Sequence, residues 1–370
     1  MDKEEIEREK IRRLISWKKG KRAPPVKIDL EPTSSCNLKC KFCWARSAKR
    51  FGSRQYDNLL SEKRILEVVK EAVEFGVIDW QIAGGWEPLM KPDLLFEIAK
   101  VIKQNGAYGC ITTNGTLFSN RLIKNLVKIG WDEILFSIEG PNARIHDYLT
   151  GVKGSFKRAI EAMKKFKYWK KVLKANKPKY SFHSVLTNKN FNKLAEMVKL
   201  GFKLGCEGIN FEPLSVWSED GAKLKLNKKQ ELELRKYVKE ALKVANDLGI
   251  YTNVANLLQP KLVEKNEMDK ILLNFAKKFG RGKLISSPCF EPWLSAEIRI
   301  TGRVAPCRLC DDDAICETLH EKSLEEIWFG EFFENFRKDM MNWKMPRYCY
   351  TCAAGVVLNT IRMREKILNS

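Results

Sequence analysis

No stretch of this 370-residue chain approaches the roughly 20 consecutive apolar residues that a membrane-crossing helix needs. The N-terminus offers no apolar secretory core either: Met1 to Arg13 is a string of charges, which predicts a cytoplasmic protein. Without an export signal, the eleven cysteines are expected to ligate metal rather than to form disulfides. Acid is scarce where base is dense. Between Met163 and Lys203 there are twelve lysines and one acid, Glu196, within a chain of net charge +21 from 67 basic and 46 acidic residues. Such a face attracts polyanions: nucleic acid, an anionic membrane surface or an acidic peptide. No aromatic-and-basic nucleic-acid motif accompanies it, and Lys-rich surfaces also serve solubility or accompany heat tolerance.

What is present is a globular composition, 44% hydrophobic and 31% charged, in a chain long enough for one large domain with an appendage or for two modest domains. Residues 1–25 read as a basic helix ended by Pro24-Pro25, one that either lies on a membrane surface or packs on its own protein. From Val26 to Glu31 the chain alternates as a strand. Helical and strand periodicities then take turns: a helix from Ser61 to Gly76, a strand Val77 to Ala83, and so on to a strand Gly208 to Phe211. Six β/α repeats result, over residues 26–219, and they argue for parallel strands with crossover helices. Periodicity alone leaves open a partial barrel or a doubly wound sheet. Either one puts its functional loops at the carboxyl ends of the strands. Residues 220–285 read as a helical bridge, with helices Lys228 to Leu248 and Glu267 to Phe279; residues 286–355 form a Cys-rich unit and 356–370 a tail.

The loop after the first strand carries Cys36, Cys40 and Cys43, spaced C-x3-C-x2-C. Three thiolates complete the set of neither a structural zinc nor a cluster held by four cysteines, so a further ligand must fill the last position. A zinc knuckle borrowing a distant residue is one solution. The loop resembles the cluster loop of radical S-adenosylmethionine (SAM) enzymes, in which a 4Fe-4S cluster with one open iron chelates SAM. That resemblance implies Phe42, before the third cysteine, lies near the adenine. Gly84-Gly85-Trp86-Glu87-Pro88 resembles the family's glycine-rich element for the methionyl end of SAM, although Trp86 stands where glycine is usual. Asn114 after the third strand, Ser137 and Glu139 after the fourth and Glu212 after the sixth are the further SAM-contact candidates. Glu139 stands where the family commonly has Asp.

Cys289 and Cys307 are spaced C-x12-G-x4-C, and a pair follows at Cys349 and Cys352. On spacing alone two such pairs would also suit zinc. The segment resembles the auxiliary-cluster domains of radical SAM enzymes, the SPASM and twitch types, which implies a second 4Fe-4S cluster on these four residues; Cys310 and Cys316 are additional candidate ligands. The fold implied is α/β, a partial (β/α)6 TIM-like barrel with a C-terminal Cys-rich auxiliary-cluster domain. The implied chemistry is reductive cleavage of SAM to a 5′-deoxyadenosyl radical, hydrogen abstraction from an unactivated C–H bond, and net oxidation of a peptide or protein, with no catalytic side chain beyond the cluster and SAM. Implied partners are an electron donor such as ferredoxin or flavodoxin and an anionic substrate or surface, either an acidic peptide or an anionic lipid. The lipid is the alternative substrate and allows peripheral attachment to a membrane. A reading of another class is a non-catalytic basic Fe-S or zinc protein that binds nucleic acid.

Overall fold

The computed structural model describes residues 1–46, 58–258, 274, 277–310, 316–352 and 354–368. A helix α1 (Lys3–Lys18) leads into β1 (Lys27–Leu30), and the repeats follow: α2 (Glu62–Phe75), β2 (Asp79–Ile82), α3 (Pro92–Gln104), β3 (Tyr108–Thr113), α4 (Asn120–Lys128) and β4 (Glu133–Ser137). Next come α5 (Ala143–Thr150), α6 (Ser155–Val172), β5 (Lys179–Leu186), α7 (Leu194–Leu204) and β6 (Gly208–Pro213), then α8 (Lys228–Leu248) and β7 (Tyr251–Thr252). The C-terminal part holds β8 (Ser295–Ile298), β9 (Val304–Ala305), α9 (Glu331–Met341) and α10 (Ala354–Leu368).

Local chemistry sets many of these boundaries. Ser61 Oγ accepts the Arg64 N–H to start α2, and Gly76 at φ 106° ends it in the left-handed conformation that glycine adopts without steric cost. Along α2 the buried residues Ile65, Val68, Val69 and Ala72 fall on one helical face. Asn227 and Gln230 form a reciprocal capping box at the start of α8.

The strand order β7-β6-β5-β4-β3-β2-β1-β8-β9 decides between the two architectures. From β1 to β7 the order is sequential and parallel. A doubly wound sheet must reverse direction at a switch point, and this sheet does not between β1 and β7. Right-handed crossovers that always advance the same way put every helix on one face. Ile28, Trp80, Ile111, Phe136, Phe182 and Phe211 are buried beneath those helices. The other face curls inward as a partial barrel lined by Asp29, Gln81, Thr112 and His183, residues one step out of phase with the buried set.

Three features depart from or extend the sequence expectations. The sheet does not stop at β1: β8 pairs parallel with it, Asp29 opposite Glu297, so the Cys-rich unit begins as an added strand of the barrel sheet. Residues 356–370 are mostly not a loose tail but the body of α10, with Met363 and Ile367 buried against α1 residues Ile6 and Leu14. That contact places α1 on its own protein. Buried Arg13 secures it, donating to the carbonyls of Pro24, Pro25 and Gly76 at 2.7–2.9 Å. The helix expected from Glu267 to Phe279 lies largely outside the described residues. No helix of the described residues is long and apolar enough to cross a membrane.

Candidate functional site

The cysteine loop hangs at the carboxyl end of β1 and is held by its backbone. Lys39 N–H donates to Thr150 O at 2.9 Å and Lys41 N–H to Leu149 O at 3.0 Å, both at the end of α5, while Glu87 N–H donates to Ser35 O at 3.0 Å. Helix α5 had no counterpart in the sequence reading, being only two turns long. Its cap was nonetheless legible: Asn142 Oδ1 accepts the Ile145 N–H and Gly151 closes the helix at φ 71°. A side chain at position 151 would put its Cβ 2.7 Å from Lys39 O, so the loop needs that glycine.

The glycine turn after β2 meets the cysteine loop directly. Cys43 Sγ lies 4.0 Å from Gly85 O. A Cβ on Gly85 would fall 2.3 Å from Ala45 Cβ, and one on Gly84 2.8 Å from Glu31. Glu31, which sequence reasoning passed over, is buried beneath this turn; it accepts the Gly85 N–H at 3.1 Å and the Ile300 N–H at 3.4 Å, so one carboxylate spans the turn and the C-terminal part. Glu87 plays a similar part between strands β2 and β3. It is 3% exposed, and its carboxylate accepts from Thr113 Oγ1 at 2.6 Å, Asn114 N at 2.8 Å and Leu89 N at 3.0 Å. Asn114 passes the linkage on: its Nδ2 donates to Asn37 Oδ1 at 2.9 Å, inside the cysteine loop.

The remaining candidates divide. Phe42 packs in an apolar cluster with Leu149, Leu214 and Leu224, and the turn at 218–221 covers it: Ser218 Oγ approaches Lys41 O at 3.5 Å. The bridge region therefore begins as a cover over the cysteine loop. Ser137 ends β4 opposite His183 on the inner face. Glu139 is 3% exposed and tied down, its carboxylate accepting the Val185 N–H at 2.8 Å and its own N–H donating to His146 Nδ1 at 3.0 Å. Burial pushes His146 down to about 4, so it serves as a neutral acceptor. Glu212 is open, pairing with His183 at 3.1 Å from a side chain that is 63% exposed. That partnership holds Glu212 below the usual carboxylate range. Arg308 joins this mouth from beside Cys307, 2.5 Å from Asp29. His183 and Arg308 carried no motif, and only the fold brings them here.

All eleven cysteines are outside disulfides. In the C-terminal part, burial raises the Cys289 and Cys307 thiols well above their usual range, and the cysteines also act on one another: Cys352 and Cys307 on Cys289, Cys349 and Cys310 on Cys307. This brings Cys289, Cys307, Cys349 and Cys352 into one neighbourhood. Cys310 and Cys316 form a buried group with Ala305 and Tyr348 alongside it. Cys110 and Cys206 are buried apart from both sets. Among the described residues, no three Cys, His, Asp or Glu side chains close on a single metal ion. A zinc ion requires thiolates within about 2.3 Å of one point, whereas a four-iron cluster takes its ligands at the corners of a wider body.

Residues 30–201 match the family model of the Radical SAM superfamily, and residues 289–353 match the SPASM model, an iron–sulfur cluster-binding domain. The chain is a radical SAM enzyme. The tungsten-containing aldehyde ferredoxin oxidoreductase cofactor-modifying protein of Pyrococcus furiosus is 25% identical over 341 residues, 88% of this chain and 86% of that protein. A PqqA peptide cyclase of Xanthomonas campestris is 22% identical over 338 residues, 89% of this chain and 79% of the cyclase. Among solved structures, Streptococcus suis SuiB bound to S-adenosylmethionine superposes with a TM-score of 0.62 at 18% identity, covering 85% of this chain and 68% of SuiB. The enzyme anSMEcpe with bound AdoMet superposes with a TM-score of 0.60 at 16% identity, covering 94% of this chain and 99% of that one. This radical SAM enzyme therefore shares the α/β fold and SPASM domain of its relatives, and the reading as a non-catalytic nucleic-acid-binding protein is set aside.

Three buried carboxyls of the enzyme, Glu87, Glu139 and Glu297, are each pushed up by burial to about 7. Each keeps its proton in the folded chain through a window, from the usual carboxylate range to about 7, in which the unfolded chain has already lost it. Raising the pH through that window removes stability, by up to about 3 kcal/mol per group. Melts of the metal-free chain are expected to show Tm falling between about pH 5 and about pH 7.5. A Tm that climbs over that range would show these carboxyls ionised in the fold.

Proposed function

We propose that the enzyme binds a 4Fe-4S cluster on Cys36, Cys40 and Cys43 with SAM against the glycine turn, binds an auxiliary 4Fe-4S cluster on Cys289, Cys307, Cys349 and Cys352, and oxidises a peptide or protein side chain. The observation that carries this reading is the meeting of the cysteine loop and the glycine turn, Cys43 Sγ at 4.0 Å from Gly85 O. When bound, these groups supply reductive cleavage of SAM, hydrogen abstraction from an unactivated C–H bond and uptake of the electron that the substrate gives up.

The chain's own residues position and exclude. Gly84 and Gly85 leave backbone groups within reach of a ligand, and Glu31, Glu87 and Asn114 fix the turns that present them. Phe42 offers an apolar face for the adenine, and the cover at 218–221 shuts water from that side. Ser137, His183, Glu212, Asp29 and Arg308 line the polar mouth, where a substrate with hydrogen-bonding groups finds partners. Residues 26–219 form the catalytic barrel, 220–285 the bridge and cover, and 286–355 the auxiliary unit, with a ferredoxin or flavodoxin as electron source. A peptide substrate is supported by the PqqA peptide cyclase relative and by the fold shared with SuiB, whose structure bound to precursor peptide SuiA is also similar. The Pyrococcus relative's name supports a second reading, modification of a small cofactor.

The test is anaerobic reconstitution with iron and sulfide, metal analysis, and an assay for 5′-deoxyadenosine from SAM and dithionite. About eight irons per chain and release of the nucleoside are expected. Zinc in place of iron, or iron without SAM cleavage, overturns the proposal.

A further inference from the structure

The basic stretch singled out in the sequence forms one surface. Helices α6 and α7 pack side by side, both running from the mouth of the barrel to its floor. Their few ion pairs lie toward the mouth: Lys157 with Glu161 at 4.0 Å and Lys193 with Glu196 at 2.6 Å. Toward the floor, Lys164, Lys165, Lys167, Lys171, Lys199 and Lys203 are exposed, and among the described residues none of them pairs with an acid. This differs from the rest of the surface, where Lys10, Lys91 and Lys100 each meet a glutamate at 2.6–2.9 Å. A chain that used lysine only for solubility would interleave acids here as it does there.

Apolar side chains stand among these ammonium groups. Tyr168 is 60% exposed, and Val172 and Phe202 are each 50% exposed. The stretch from Met163 to Lys203 contains no arginine, so it lacks the planar forks that grip individual phosphodiesters. Point charges around protruding apolar groups suit a diffuse anionic surface that also admits side chains to its headgroup region.

We infer that the floor-ward face of α6 and α7 docks this enzyme onto an anionic lipid bilayer, with the barrel mouth turned to the aqueous side. Helix α6 spans about 27 Å from mouth to floor, so the docked enzyme keeps its cysteine loop away from the bilayer and its substrate in solution. Docking needs neither cluster nor SAM, and it stands or falls separately from the proposed reaction.

The experiment is co-sedimentation of the full chain with large vesicles of phosphatidylcholine alone or with phosphatidylglycerol added, at low and high salt. Binding to the anionic vesicles is expected to be at least about tenfold tighter than to the neutral ones, and to weaken with salt. The triple variant Lys164→Glu, Lys167→Glu, Lys171→Glu is expected to lose that preference. A control with the same charge change on exposed α8 positions, Lys228→Glu, Lys229→Glu, Lys236→Glu, should keep it within about twofold, as the charges act locally. Tyr168→Ser with Phe202→Ser should weaken binding even at low salt. Equal binding to both vesicle types, equal loss in the control, or capture of poly-glutamate by this face without any vesicle binding overturns the proposal. Unchanged circular dichroism verifies that each variant is folded.

Discussion

Replacing Cys36, Cys40 and Cys43 together by alanine is expected to lower the iron content from about eight to about four per chain and to abolish release of 5′-deoxyadenosine. The loop should survive the change, because backbone bonds hold it: Lys39 and Lys41 N–H to the end of α5, and Glu87 N–H to Ser35 O. Circular dichroism and Tm of the metal-free variant should therefore match the parent. The complementary variant, Cys349→Ala with Cys352→Ala, should lose the other iron complement while still cleaving SAM. That pair of results separates the two sites. If the second variant lost SAM cleavage as completely as the first while remaining folded, the division of labour between the sites would be wrong. If the first retained cleavage, the cysteine loop would not be the SAM site.

Glu87→Ala is expected to carry the largest stability cost of any single change at the site. Three donors lose their acceptor at once: the Thr113 hydroxyl and the N–H groups of Asn114 and Leu89. A buried donor left unsatisfied costs roughly 1–3 kcal/mol, and partial relaxation of the turns brings the expected total to about 3–5 kcal/mol. The same change uncouples the turn after β2 from the turn after β3, so SAM affinity should fall by at least about tenfold in the variant that remains folded. Glu87→Gln should be intermediate, because its one carbonyl oxygen can serve part of the set while its NH2 group faces donors. Exposed Glu97→Ala, on the outer face of α3, should stay within about 0.5 kcal/mol of the parent. Denaturant melts and SAM titration calorimetry check both effects. A Glu87→Ala protein as stable as the Glu97→Ala control would mean that solvent reaches those donors and that the carboxylate is no clamp.

Individual residues show where the chain was legible. Ser61, Gly76, Pro92, Asn227 and Gly249 mark helix ends by local bonds and backbone preferences, and the helices start or stop within a residue of them. The cysteine spacings point to two thiol sites for the same reason, since residues three or four apart on a loop can converge without help. Helix α5 was missed because two turns give too little periodicity. Strand β8 was recognised as strand-like, but its place beside β1 was not, since its own alternation says nothing about its partner. Glu87 and Glu139 were expected to face SAM, and their carboxylates lie buried, accepting hydrogen bonds from neighbouring turns. Glu31, Asn37, His183 and Arg308 carried no local signal.

The sequence by itself determined the alternation of strands and helices, the two cysteine sites, the glycine turn and the excess of base over acid. These depend on neighbours within a few residues, or on composition alone. Only the tertiary structure decided the sequential strand order that makes a barrel, the joining of β8 to β1, and the gathering of Asp29, His183, Glu212 and Arg308 at one mouth. It likewise decided that the unpaired lysines share one floor-ward face. Those relations join residues up to 279 positions apart, as Asp29 and Arg308 are, and they are set by which strand lies next to which, a choice made by packing of the crossover helices over the whole sheet.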